Sequence, residues 1–153
     1  MHASDPPLVS YQKRIALAWS GTTSMQERLK FSAWLIKECA DKVYRYGYVE
    51  KRRTYADTRK ELRQALALAE TVMHHAQSDV RRASLAERPN VRARMHLREK
   101  QYRECVRAYK KHLRREKAAC HKHALIMVAH ARKTLEDDVH YHKALAWHAA
   151  QGG

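Results

Sequence analysis

From Val91 to Trp147 the chain contains neither glycine nor proline. The stretch follows Pro89-Asn90, where an asparagine can cap a helix N-terminus. Run unbroken at ~1.5 Å per residue, it would form a rod of roughly 85 Å. A compact domain of this size does not need such a length. The expectation is therefore a long helical arm over residues 90–148 that lies against something else. It is basic to Lys117 and rich in Ala and His beyond.

The rest of the chain is as strongly helical in character. Only 4 Gly and 3 Pro occur, and Ala, Arg, Leu, Lys, Glu and His dominate, so the fold class is all-α. No apolar run approaches the ~20 residues of a membrane span. Lys and Arg number 31 against 16 Asp and Glu, a formal charge of +15. The balance is +2 over residues 1–50, +4 over 51–90 and +9 over 91–153. Such a field selects polyanionic partners: nucleic acid, anionic lipid or an acidic protein. The three cysteines, Cys39, Cys105 and Cys120, show no CxxC spacing and are odd in number. That favours free thiols in a reducing compartment over a disulfide framework. Met1 to Pro7 carries no secretory n-region or h-region.

In chain order, residues 1–7 read as a tail, with Pro7 suited to a first helical turn. Leu8, Tyr11, Ile15 and Trp19 recur on one face of a first helix that ends at Ser20-Gly21. Ser24-x-x-Glu27 is a capping box opening a second helix. Its seam is Ser32, Leu35, Cys39, Val43 and Tyr46, and Gly47 is its expected stop. A short link over 48–53 predicts that the third helix returns antiparallel beside the second. That third helix, from Thr54 to about Ser84, carries an apolar stripe of small residues. It would complete a three-helix antiparallel head over residues 8–84.

In the arm, Tyr102, Val106, Tyr109 and Leu113 form a narrow seam on a charged surface, suited to a partner helix. The seam continues through Cys120, Ala124, Met127, Ala131, Leu135 and Leu145. Glu136-Asp137-Asp138 interrupts the positive field and is the place for a kink or an end. Residues 149–153 read as a loose C-terminus.

Several chemistries find no support in this pattern. A helical metal pair needs histidines three or four apart, and none of the 11 has that spacing. Glu116, Cys120 and His123 share a face and are the nearest approach to a ligand set; no metal is expected. The chain has no glycine-rich phosphate loop and no GxSxG, and Asp137-Asp138 diverge on a helix. Cys39 belongs to an apolar seam. No enzyme is expected. The tract from Arg92 to Arg115 holds ten Lys and Arg against Glu99 and Glu104. On RNA such residues neutralise phosphates and tyrosines stack, yet Tyr102 and Tyr109 lie on the packing seam.

The first three helices carry a family resemblance. A short helix with the lettering Lys13-Arg14-Ile15-Ala16-Leu17-Ala18-Trp19 precedes a second helix that ends in an aromatic, Arg45-Tyr46. A basic link and an amphipathic third helix with Leu62-Arg63-Gln64-Ala65 follow. This resembles the LYR-motif family, small basic three-helix proteins of mitochondria, and within it the accessory subunits of the complex I membrane arm. Leu17, Ala18 and Trp19 stand at the name-giving triplet, of which Leu17 alone matches, and Tyr46 replaces the downstream Phe. The resemblance covers roughly residues 8–80.

It implies a non-catalytic accessory subunit on the matrix side of the inner membrane, bound to an acyl carrier protein. Lys13, Arg14, Lys42 and Arg45 would then meet the acidic carrier. Leu17, Val43, Leu62 and Leu66 would line a slot for the acyl chain of its phosphopantetheine, with no cofactor bound directly. Peripheral contact with anionic lipid fits the same setting. The competing expectation is a basic helical nucleic-acid-binding protein, ribosomal or DNA-associated, and cytoplasmic if so. A third is a coiled-coil oligomer built on the Tyr102–Leu113 seam.

Overall fold

A computed structural model describes residues 6–152 of the chain. It is all-helical, with no strand among the described residues. Four helices follow in order: α1, Pro7–Trp19; α2, Met25–Arg53; α3, Ala56–Arg82; and α4, Arg88–Gly152. Residues 1–5 of the expected tail and Gly153 of the expected loose end lie outside the described residues. Pro7 is the first helical residue of α1, and Ala149 to Gly152 are helical rather than loose.

Helix ends follow local chemistry at some places and tertiary contacts at others. Ser24 Oγ accepts the Glu27 N–H at 3.2 Å, the forward half of the expected capping box. Ser84 Oγ accepts the Glu87 N–H at 3.4 Å at the start of α4. The helix therefore begins at Arg88, with Pro89 in its first turn, and Asn90 lies inside rather than at the cap. Gly47 does not stop α2, which runs on through the expected link to Arg53. Nor does Glu136-Asp137-Asp138 end α4; Asp138 Oδ2 instead accepts a hydrogen bond from Gln12 Nε2 at 3.1 Å.

The chain divides into two compact units. The first comprises residues up to Lys51 together with Ala119 onward, so it holds α1, most of α2 and the last part of α4. Its core joins Tyr11, Ile15 and Trp19 to Leu35, Cys39 and Val43, and both sets to Ala131, Leu135 and Val139. Each set recurs every three or four residues, so three helices each contribute one stripe. Trp19 Nε1 donates to the buried Ser32 Oγ at 3.0 Å, which satisfies the two polar atoms this core encloses there. The last part of the expected arm is thus core: Ala131, Leu135 and Val139 pack against the apolar wall of α1 and α2, with Met127, Val128 and Ala146 beside them.

Gly47 has a packing role in this unit. A Cβ at that position would stand 2.8 Å from Met127 Sδ and 3.3 Å from Ala124 Cα. The missing side chain lets α2 and α4 approach closely, with Ala124 fully buried at the contact.

The second unit, Arg52–Ala118, holds α3 and the first part of α4. The two run antiparallel: Arg59 pairs with Glu116 and Arg63 with Tyr109, so numbers rise on one helix as they fall on the other. Within this unit α3 packs against α4, while α2 up to Lys51 belongs to the first unit. A two-helix layer buries little. Among the described residues of this unit only Ala76 and Glu116 are buried, and Leu62, Leu66, Tyr102, Val106 and Tyr109 are half-buried.

Candidate functional site

The second unit holds a carboxylate that its surroundings neutralise. Glu116 is 4% exposed and sits in the seam of α4, between Leu113 and Cys120. Arg59 donates to its Oε1, and Arg52 Nε lies 3.8 Å from the same oxygen. His112 Nε2 lies 3.1 Å from Oε2, one turn earlier on α4. Tyr55 meets the His112 ring edge-on at 5.9 Å. Arg59 also donates to the Arg52 carbonyl at 3.1 Å, so one guanidinium serves the last turn of α2 and the carboxylate of α4. This is a structural cluster: every polar atom of the carboxylate is engaged by the protein itself.

The outer surface of the same helix behaves in the opposite way. Arg92, Lys100, Arg103, Arg107, Lys110 and Arg114 are all exposed. With His96 in the one gap, the intervals are 4, 4, 3, 4, 3 and 4, the repeat of a single helix face. No acidic or apolar residue interrupts that face. Glu99 reaches Arg103 from the side at 4.0 Å. Arg107, Lys110 and Arg114 have no acidic partner among the described residues.

The charge of the chain follows this division. The second unit carries 19 Lys and Arg against 8 Asp and Glu, a net of +11 of the total +15. It contains no Phe or Trp. Two of its three tyrosines are committed: Tyr109 Oη accepts from Arg63 Nε at 3.1 Å, and Tyr55 lies against His112; Tyr102 is half-buried. The arrangement offers fixed positive charge and no aromatic face for stacking.

In the first unit, two of the four basic residues assigned by resemblance meet. Arg14 and Lys42 converge on Glu38, at 4.0 Å and 3.6 Å, and both lie over the Tyr11 ring, at 4.9 Å and 5.4 Å. Lys13 and Arg45 are exposed. The four slot residues do not gather within either unit. Leu17 is 71% exposed and lines a surface hollow with Ala18 and Phe31, whereas Val43 is sealed in the core. Leu62 and Leu66 belong to the second unit. Of the degenerate motif, Ala18 is half-buried, Trp19 is core and Tyr46 is half-buried.

Between α2 and α4 the first unit also has an open groove of about 550 Å³. Leu29, Ala33, Ile36 and Val139 supply apolar walls, and Lys37 and Arg132 are among its polar lining. Burial pushes the Cys39 thiol above its ordinary value, with Lys42 pulling weakly the other way. A buried thiol held protonated is a packing group and a poor nucleophile. Among the described residues, no group of three or more His, Cys, Asp or Glu is placed to hold a metal ion, and no helix is long and apolar enough to cross a membrane. Of the candidate set Glu116, Cys120 and His123, Glu116 lies in the second unit and the other two in the first, and Glu116 is spent on Arg59 and His112.

Sequence reasoning named Glu116 only as a candidate ligand and missed its partners. The His112–Glu116 spacing of four was a visible signal. Arg52 and Arg59 come from far along the chain and gave none. No family model, no curated protein and no solved structure matches this chain.

Proposed function

We propose that this chain is a non-catalytic structural subunit that attaches to a polyanionic partner within a larger assembly, through the α3–α4 hairpin of the second unit. The observation that carries the reading is the division of charge: +11 of +15 on the second unit, with the cations on that face of α4 from Arg92 to Arg114 exposed and the buried carboxylate of Glu116 already paired. Exposed charge of one sign accelerates encounter with an opposite field and sets its salt dependence. The test is sedimentation of the tagged full chain from its own cells. Comigration with a large assembly at physiological salt and release at high salt are expected. Sedimentation as a free protein at low salt would remove the reading.

A second reading keeps the address that the LYR-family resemblance implies. Residues 8–84 would be an LYR-like three-helix head and residues 90–148 its long basic helix, in an accessory subunit of mitochondrial complex I on the matrix side of the inner membrane. Lys13, Arg14, Lys42 and Arg45 would hold an acyl carrier protein. The observation that favours it is the meeting of Arg14 and Lys42 on one surface of α1 and α2. Charge reversal at Arg14 and Arg45 then abolishes capture of an acidic acyl carrier; unchanged capture excludes the carrier. A tagged chain that never comigrates with a respiratory complex on native gels excludes the address.

A further inference from the structure

The polyanion-docking reading leaves open which polymer the hairpin meets, and the form of its cationic surface narrows the choice. Six exposed cations, Arg92, Lys100, Arg103, Arg107, Lys110 and Arg114, form one file along α4 away from its packing seam, with the exposed Arg94, Lys111 and Arg115 and the exposed Glu104 to one side of it. Over that span an α-helix rises ~33 Å at ~1.5 Å per residue. From Lys100 to Arg114 successive cations stand ~4.5–6 Å apart along the axis, and Arg92 lies ~12 Å before Lys100 with His96 in the gap. A straight file of regularly spaced cations fits a linear polyanion. A lipid surface would also draw on a common apolar face beside the cations, whereas the exposed Leu97 and Leu113 of this stretch lie on opposite sides of the file.

Within nucleic acids, single strands are held by aromatic side chains on which bases stack. The hairpin has no Phe or Trp, and Tyr102 and Tyr109 are half-buried on the opposite, packed face. What remains is contact with phosphates, which carries no base sequence. A rigid rod of ~33 Å is also about the length of one turn of a double helix, ~34–36 Å. From these observations we infer that the Arg92–Arg114 line is a binding surface for the phosphate backbone of duplex nucleic acid, read without regard to sequence. The inference rests on the polyanion-docking reading, and the experiment separates the two.

Fluorescence anisotropy of the full chain is measured across a salt series. The probes are duplex RNA and duplex DNA of two unrelated sequences, single-stranded polyuridylate, and vesicles containing phosphatidylserine. Six neutralised phosphates give an expected slope of log K against log salt of about −5 on duplex probes. The two sequences bind alike. The triple variant Arg103→Gln, Arg107→Gln, Lys110→Gln lowers the magnitude of that slope by about 3. A control of equal charge change off the line, Lys30→Gln, Lys122→Gln, Lys133→Gln, leaves it in place. All these side chains are exposed, and the circular dichroism melt of each variant reports its folding. Should the triple variant misfold, the pair Lys100→Gln, Arg114→Gln must lower the slope by about 2. Duplex binding that is insensitive to the line relative to the control, or tighter binding to polyuridylate than to duplex, overturns the inference. Capture of vesicles without duplex also overturns it but leaves the docking reading standing. Binding to none of the probes overturns the inference and leaves an acidic protein as the partner that the sedimentation test of the docking reading addresses.

Discussion

At the scale of single residues, the polar groups divide into those the protein has used and those it has left outward. Glu116 is the clearest used group. Removing one member of a buried ion pair strands the other, at a cost of about 3–5 kcal/mol. The half-exposed Arg52 contributes far less than Arg59 because solvent screens it. Glu116→Ala is therefore expected to lower the unfolding free energy in urea by about 3 kcal/mol, and Arg52→Ala by less than about 1 kcal/mol. Equal effects from the two substitutions would show that Arg59 is not the principal partner. The cysteines sort in the same way. Cys39 and Cys120 are fully buried, and Cys105 is half-buried. In native protein a thiol reagent should modify Cys105 alone, the other two reacting only after denaturant is added; mass spectrometry of the labelled chain counts them. The raised thiol of Cys39 also fixes a sign. Its folded state holds the proton to higher pH than the unfolded state does, so its contribution to stability is intact below the ordinary 9.0 and declines above it.

At the scale of helices, the four elements were legible because each repeats a burial stripe every three or four residues, and Tyr11, Ile15, Trp19, Leu35, Cys39 and Val43 are where those stripes placed them. The ends were less legible. Ser24 announced its helix, but Gly47 was misleading, since glycine serves as a stop and as a point of close approach alike. Only knowledge of what faces it, Met127 and Ala124, separates the two. Pairing was not legible either. A short connection favours antiparallel neighbours, yet the wall of α1 and α2 is closed by Ala131, Leu135 and Val139, far along the chain. The cationic line was present in the spacing of its residues. It became a surface only once the opposite face of α4 was known to be packed. Gly47 yields a direct test. Gly47→Ala gains about 1 kcal/mol of helix propensity and asks Met127 to shift, so it should be near neutral. Gly47→Leu overfills the contact and should cost about 1–3 kcal/mol. In a Met127→Ala background that cost should shrink, measured as a double-mutant cycle in urea. An unchanged cost would mean that the limit is set by the backbone at Ala124.

At the scale of the whole molecule, the charge that suits the hairpin to a polyanion also works against its own stability. Like charges three or four apart on a helix destabilise it by about 0.2–0.5 kcal/mol per pair. The line from Arg92 to Arg114 holds several such pairs, with Lys111 and Arg115 beside it. Their summed repulsion is on the order of 1–2 kcal/mol at low salt. The hairpin has little to set against it, with Ala76 and Glu116 its only buried residues among those described. Screening shortens the reach of these charges from ~30 Å at 0.01 M to ~8 Å at 0.15 M ionic strength. The hairpin should therefore become more stable as salt is added, while any polyanion complex it forms weakens. Hydrogen exchange can follow the two units separately. Amides of α3 and of α4 before Ala118 should slow by several-fold between low and physiological salt, and those around Leu135 should change little. The triple variant at Arg103, Arg107 and Lys110 should remove part of that salt response by relieving the repulsion. If hairpin amides exchange faster as salt rises, attractive pairs such as Arg59–Glu116 outweigh the line, and its charge is not held in tension.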